Sequence, residues 1–393
     1  MIPVTKPFLP KMEVFNRYVS SIWERQWLTN NGHLVNELEQ KLQEYLNIKQ
    51  LLFVSNGTIA LQMAIKALGI RGEVITTPFS YAATSSSIAW EGCVPIYVDI
   101  DPETFNIDPA KIEAAITIKT KAIIATHTFG NPCDIDAIQA IAEKHKLKVI
   151  YDAAHCFGST YKNKSVYAYG DISTASFHAT KLFHTVEGGA IFSEDQNLLK
   201  TLAGMRNFGH NGPDTFDQRP GINGKNSEFH AAMGLCNLEH IEEILERRRT
   251  LSYHYYKRLK NFKVKFPKLN DNMDYNFAYF PVLFETEDLL LQCMKRLEGS
   301  KIYCRRYFYP PLSQSLPYVI KAAVPLCDNI SKRMLCLPLY HTLSTADLDL
   351  ICRILWRVQN YQEPVAFKKR KINIDLSHQH ITPINGHSFP EQG

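Results

Sequence analysis

L-L-F-V-S-N-G-T-I-A-L-Q-M-A-I-K-A-L-G, residues 51–69, passes from a short apolar run through four small or polar residues into a helical repeat. The apolar run reads as a buried strand. Leu61, Ala64, Ile65 and Leu68 recur at spacings of three and four, so one face of the following helix packs inward. Between strand and helix lies Ser55-Asn56-Gly57-Thr58. A helix N-terminus leaves amide N–H groups unpaired and carries partial positive charge, which makes Gly57 and Thr58 candidate phosphate contacts. The pattern is neither a P-loop nor G-x-G-x-x-G, and Ser, Asn and Thr also serve simply as helix caps.

Moving outward, the same design returns. E-V-I-T-T-P-F-S-Y-A-A-T-S-S-S-I-A-W-E-G (73–92) gives a strand at Glu73–Thr77, a loop broken by Pro78 and a helix of small residues. Tyr81 sits in that loop, where an aromatic side chain either stacks on a planar cofactor or fills the core. V-P-I-Y-V-D-I-D (94–101) and K-A-I-I-A-T-H-T-F-G (121–130) add strands, with a helix at Pro109–Ala115 between them. L-K-V-I-Y-D-A-A-H-C-F-G-S (147–159) adds another strand, ending at Asp152. Strands alternating with helices predict an α/β chain whose largely parallel sheet is covered on both faces. The carboxyl ends of such strands line the binding crevice, so Asp152, followed by His155, is a candidate site acid, with helix capping as the alternative.

A-S-F-H-A-T-K-L-F-H-T-V-E-G-G-A, residues 175–190, sets one lysine among Phe177, Leu182, Phe183 and Val186. Scarce water weakens an ammonium's hold on its proton, which is the condition for a nucleophilic, Schiff-base-forming Lys181. Ser176 offers a hydroxyl to a phosphate, and Glu187-Gly188-Gly189 lets backbone pass close to a bound ring. A lysine among aromatics also commonly snorkels to the surface, so this stretch alone leaves both readings open. His184, one turn from Lys181, either faces the substrate side of the site or takes a packing or surface position.

Elsewhere, periodicity marks helices at Val14–Trp27, around Val35, Leu38, Leu42 and Tyr45, at Glu287–Leu297 and at Ala346–Val358. The irregular stretch Arg206–Lys225 is long enough for a lid or a subunit contact. From Ser227 one long helix is expected, with Phe229, Met233, Leu238, Ile241 and Leu245 inward and E-R-R-R at its end. It leads to a smaller α+β part that includes the strand Y-F-P-V-L-F. The expected division is therefore 1–240 for a large α/β domain with an N-terminal arm, 241–360 for the smaller domain, and 361–393 for a flexible polar tail. The basic cluster Lys368–Lys371 in that tail reads as a solvated charge run.

With 393 residues and 45% hydrophobic content, the chain is long enough for two cores. The net charge of +5 is spread among interleaved acids and bases, which gives no nucleic-acid footprint. Nine cysteines without a C-x-x-C pair argue against a disulfide framework and a structural zinc site, and point to the reducing cytoplasm. No apolar run reaches the length of a signal peptide or a membrane span, so neither export nor insertion is expected.

Five ordered motifs carry a family likeness: S-N-G-T before a helix, P-F-S-Y-A-A-T, Y-D-A-A-H, S-F-H-A-T-K with E-G-G, and G-I-N-G-K-N-S-E-F-H-A-A-M-G-L. Together they resemble the DegT-like nucleotide-sugar aminotransferases, which are fold-type-I pyridoxal phosphate enzymes. The resemblance runs from W-L-T-N-N-G to the late Y-P-P-L and L-P-L-Y segments. It implies a mostly parallel seven-stranded sheet, pyridoxal 5'-phosphate as cofactor, and a homodimer with shared active sites. By the same likeness Lys181 forms the covalent link to the cofactor and Asp152 bonds the pyridine nitrogen. His155 falls near the phenolic oxygen, Tyr81 matches the stacking aromatic, and Gly57, Thr58 and Ser176 match phosphate contacts. Asn223 matches an asparagine that reaches the phosphate from the neighbouring subunit.

The activity implied is transfer of an amino group from L-glutamate to a nucleotide-linked keto-deoxysugar, at C4 of a 4-keto-6-deoxyhexose, for O-antigen or other glycan synthesis. Amination at C3 and a non-catalytic cofactor-binding regulator are the alternatives. Dehydration, which some relatives achieve with His in place of the lysine, is disfavoured by Lys181. Arg206-Asn207-Phe208-Gly209-His210 departs from the family's arginine-x-histidine-glycine signature, so the acceptor contacts are not implied. The W-L-T-N-N-G loop and Tyr309-Pro310-Pro311 are expected to border the sugar and nucleotide.

Overall fold

Alternation of apolar side chains along short strands builds two cores, one on each face of a single sheet. A computed structural model describes residues 1–361 apart from 213 and 218, so the expected tail and its lysine cluster lie outside the described residues. The first half runs α1 (Met12–Arg25), α2 (His33–Leu46), β1 (Leu51–Val54), α3 (Gly57–Ala67), β2 (Glu73–Thr76), α4 (Ala82–Trp90), β3 (Val94–Tyr97), α5 (Pro109–Ile112), β4 (Thr120–Thr126), α6 (Ile135–His145) and β5 (Lys148–Asp152). Then come β6 (Thr160–Tyr161), β7 (Lys164–Ser165), β8 (Ile172–Ser176), β9 (Gly189–Phe192), α7 (Gln196–Arg206), α8 (Glu228–Leu238) and α9 (Ile241–Arg258). The remainder is β10 (Val264–Lys265), β11 (Met273–Asp274), β12 (Phe280–Phe284), α10 (Glu287–Gly299), α11 (Leu312–Ser315), α12 (Pro325–Arg333), β13 (Met334–Leu337) and α13 (Thr345–Asn360).

Seven strands form one sheet in the order β1-β9-β8-β5-β4-β2-β3. All neighbours are parallel except those of β9, which runs against both β1 and β8. Because β9 reverses twice, β1 points the same way as β8. The carboxyl ends of β1, β2, β4, β5 and β8 therefore meet at one edge, where ligands bind in open α/β sheets. Successive residues alternate between the faces: Leu51, Phe53, Val149 and Tyr151 join one core, while Leu52, Val54 and Ile150 join the other. A further apolar cluster unites α9, α10 and α13 with β12 and β13, which pair with β10 in a three-stranded sheet.

Three local expectations are corrected. The first helix stops at Arg25 because Gln26 adopts left-handed backbone (φ 53°) and its amide bonds Trp23 O, so Trp27 falls in the following loop. The long helix expected from Ser227 is two, broken at Glu239-His240, and the second continues past E-R-R-R to Arg258. Its inward face is met in part: Ile241 is buried as expected and Phe229, Leu238 and Leu245 pack against the core half-buried, but the most buried positions also include Ala231, Ala232, Leu235 and Ile244, and Met233 is only half-buried. The cause is close approach. A Cβ on Gly234 would meet Leu38 Cδ2 at 2.9 Å, so α2 selects the small-residue face of α8.

Candidate active site

Lys181 sits in the connection between the antiparallel pair β8 and β9. Bonds from Phe177 N to Gly188 O and from Ala179 N to Val186 O, both 2.7 Å, carry the ladder beyond the strands, and Lys181 N to His178 O (2.8 Å) turns the chain at the lysine. Phe177, Leu182 and Phe183 are buried as expected. Val186 is not: it is 45% exposed at φ 68°, a left-handed conformation rare for a β-branched residue. Burial lowers the Lys181 pKa to about 8 against the opposing pull of Asp152. The amine lies 3.5 Å from the Tyr279 hydroxyl, a phenol that burial keeps protonated.

Asp152 closes β5 at the ligand edge. Its Oδ2 accepts from Thr84 Oγ1 at 2.6 Å and its Oδ1 from Ala154 N at 3.3 Å. Burial raises its pKa, which the bonds from Thr84 and Ala154 and the nearby Lys181 oppose. The residue acts as a buried acid at a strand end, and it is held for more than capping, since its second oxygen faces a threonine from α4. His155 Nδ1 accepts from Phe129 N at 3.2 Å, and burial holds the ring neutral, so Nε2 carries the hydrogen.

The turn before α3 performs the capping role read in the sequence. Asn56 caps the helix, its side chain accepting from Ile59 N at 2.9 Å, a contact of a kind worth about 1 kcal/mol. Gly57 and Thr58 then present the helix tip to the cavity. A Cβ on Gly57 would stand 2.9 Å from Ser176 Cβ. The glycine thus lets Ser176, at the end of β8, approach the helix tip.

Gly57, Thr58, Tyr81, Asp152, His155, Ser176 and Lys181 line one cleft of about 270 Å³. Tyr81 is 61% exposed and precedes the first turn of α4. Asn223 does not line this cleft; it is exposed, in a bridge with Asn207. His184 is also elsewhere: its Nε2 donates to Phe8 O at 2.8 Å, which ties the N-terminal arm to the lysine loop. That contact corrects the substrate-side expectation for His184.

The opposite wall was not read from the sequence. Tyr279, Arg305, Tyr307 and Phe308 supply it. His155 packs against it, with ring centroids 4.7 Å from Tyr279 and 6.1 Å from Phe308. Tyr279 immediately precedes β12, whereas Tyr307 and Phe308 lie in a turn between α10 and α11, where the sequence signal was their closeness to the Y-P-P-L segment.

The residues fit the pyridoxal phosphate that the likeness implies. A carboxylate buried without an ion-pair partner among the described residues suits a protonated ring nitrogen. The glycine gap beside Ser176 suits a phosphate, and a lysine of lowered pKa suits covalent attachment.

Two curated relatives share the whole arrangement in length. The chain is 43% identical to a dTDP-4-amino-4,6-dideoxy-D-glucose transaminase of Shigella dysenteriae over 356 residues, covering 88% of this chain and 96% of that protein. It is 41% identical to a protein of the same name from Escherichia coli over 367 residues, covering 90% and 98%. Among solved structures, DesI in the presence of its TDP-sugar product superposes with a TM-score of 0.86 at 29% identity, over 91% of this chain and 92% of that one. Residues 11–356 match the model of the DegT/DnrJ/EryC1/StrS aminotransferase family, and with these relatives beside it the chain belongs to that family.

Proposed function

We propose that the chain moves the amino group of L-glutamate to C4 of dTDP-4-keto-6-deoxyglucose, as a cytoplasmic homodimer that feeds O-antigen or other glycan synthesis. One observation carries the chemistry: the Lys181 amine and the buried Asp152 carboxylate line the same cleft as a helix N-terminus. The choice of substrate rests on the two relatives at 43% and 41% identity, both named for a dTDP-linked 4-amino-4,6-dideoxy-D-glucose. The division into a larger part up to residue 240 and a smaller part to residue 360 belongs to the same proposal.

Pyridoxal phosphate, when bound, supplies the electron sink for the pair left on carbon as the C–H bond beside the amine breaks. Asp152 stabilises the protonated ring nitrogen by opposite charge. Gly57, Thr58 and Ser176 would hold the cofactor's phosphate, Tyr81 would cover its ring, and His155, through Nε2–H, would hydrogen-bond its phenolic oxygen. Lys181 Nζ takes the proton from the donor's α-carbon and, in the second half of the cycle, returns one to the sugar carbon. The dry packing of Phe177 and Phe183 behind the lysine keeps water from competing for that proton.

A dimer is supported by apolar surface around Asn223. Trp27, Leu28, Phe208 and Ile222 are exposed; Phe208 N bonds Ile222 O at 3.0 Å beside Asn223, and Leu28 O accepts from Glu228 N at 3.0 Å at the start of α8. Asn223 then acts on the partner's phosphate. Mixing Lys181→Ala chains with Asn223→Ala chains is expected to give heterodimers with one intact site and about half the wild-type activity. If Asn223 acted within its own chain, both heterodimer sites would be dead and no activity would return.

The substrate is tested by incubating the enzyme and L-glutamate with dTDP-, UDP- and GDP-linked keto sugars, followed by product NMR. An amine at C4 of the dTDP-linked 6-deoxyhexose is expected. An amine at C3, or turnover only with a sugar lacking its nucleotide, sinks the substrate assignment and leaves the family's chemistry standing.

A further inference from the structure

Two adjacent arginines, Arg305 and Arg306, have opposite surroundings. Arg306 is committed to the fold: its Nη2 donates to Glu287 Oε1 at 2.7 Å and to Lys332 O at 2.6 Å, and its guanidinium covers the Tyr309 ring at 3.5 Å. Arg305 lines the cleft instead. Its backbone is fixed by a reciprocal bridge to β13, with Arg305 N to Cys336 O at 3.2 Å and Cys336 N to Arg305 O at 2.8 Å. Its guanidinium lies 5.4 Å from the Tyr307 ring centroid, and among the described residues no carboxylate pairs with it.

The other charges of the cleft are accounted for. Lys181 must give up its proton to work, Asp152 is the buried acid that the proposed function assigns to the ring nitrogen, and Glu187 stands 3.5 Å from His178. Arg305 is therefore the permanent cation on the cleft wall that faces the cofactor groups. An arginine fork binds planar or tetrahedral oxyanions through paired donors. The bridge to β13 fixes where that fork starts, so its side chain reaches into the cleft from a rigid base.

We propose that Arg305 anchors the substrate's oxyanion, either a carboxylate of the amino donor or the diphosphate of the acceptor. The proposal rests on the aminotransferase reading of the site. Donor and acceptor occupy the cleft in turn, so the two halves of the cycle can be measured apart. Arg305→Gln and Arg305→Lys are compared with wild type in two single-turnover reactions, one mixing the cofactor-loaded enzyme with L-glutamate and one mixing enzyme first aminated by glutamate, and then freed of it, with the keto nucleotide sugar. Losing a charge-assisted pair is expected to raise the half-saturating concentration about 10–100-fold in Arg305→Gln, with partial recovery in Arg305→Lys.

A rise confined to glutamate assigns the anchor to the carboxylate, and a rise confined to the nucleotide sugar assigns it to the diphosphate. Unchanged half-saturation in both halves overturns the proposal, including the case in which only limiting rates or thermal stability fall, as a merely structural arginine would cause. Calorimetric titration of 2-oxoglutarate and of thymidine diphosphate, which needs no turnover, reads the same anchor directly. Wild-type protein that loads cofactor but reacts with no amino acid defeats the aminotransferase reading, while these two titrations still decide whether Arg305 binds an oxyanion.

Discussion

Lys181→Ala is expected to lower turnover about 10⁴-fold or more, because in the proposed function one amine both attaches the cofactor and shuttles the proton. Reduction with borohydride followed by peptide mass spectrometry reads the first role: wild type retains the cofactor on Lys181 and the variant retains none. The fold should survive, since Lys181 forms no ion pair among the described residues and its amine makes one 3.5 Å contact, to Tyr279. A pH series gives the same answer from the other side. With its pKa lowered to about 8 by burial, the amine is protonated and unreactive below that pH, so attachment to cofactor-free wild type accelerates as pH rises through it. Full turnover in the alanine variant would leave the central lysine without a function.

Asp152→Asn is expected to slow the donor half-reaction about 10²–10³-fold while leaving cofactor binding nearly intact. Removing the charge opposite a buried cation costs about 3–5 kcal/mol, and the amide has almost the same shape. Its oxygen can still accept from Thr84 Oγ1, so the 2.6 Å contact that holds the side chain persists. Stopped-flow absorbance with saturating glutamate measures the rate, and an equilibrium titration measures the affinity. A near-normal rate would reduce Asp152 to a structural acid at the end of β5.

The sequence made the first wall of the cleft legible because local rules place it. Strand–turn–helix patterning puts Gly57 and Thr58 at a helix tip and Asp152 at a strand end, and a parallel sheet then gathers those ends at one edge. The second wall obeys no local rule. Tyr279 precedes a strand that looks like any apolar strand, and Tyr307 and Phe308 look like core until the sheet they flank is folded against the cleft. The face of α8 follows a related logic: Gly234 is buried where a Cβ would stand 2.9 Å from Leu38 Cδ2 of α2, so size alone does not rank burial there. Val186 and His184 were drawn into the site by proximity in sequence to Lys181. The turn that presents the lysine sends Val186 to solvent and His184 to the N-terminal arm.

The two walls of the cleft come from separate lengths of chain. One part of the lining, with Lys181, Asp152 and the tip of α3, lies between Asn56 and Glu187, and the other lies between Tyr279 and Phe308. Change in the second length leaves the lysine, the acid and the phosphate cradle untouched. A gene arranged in this way lets selection, or a recombinant library, alter what is aminated while inheriting how amination is done.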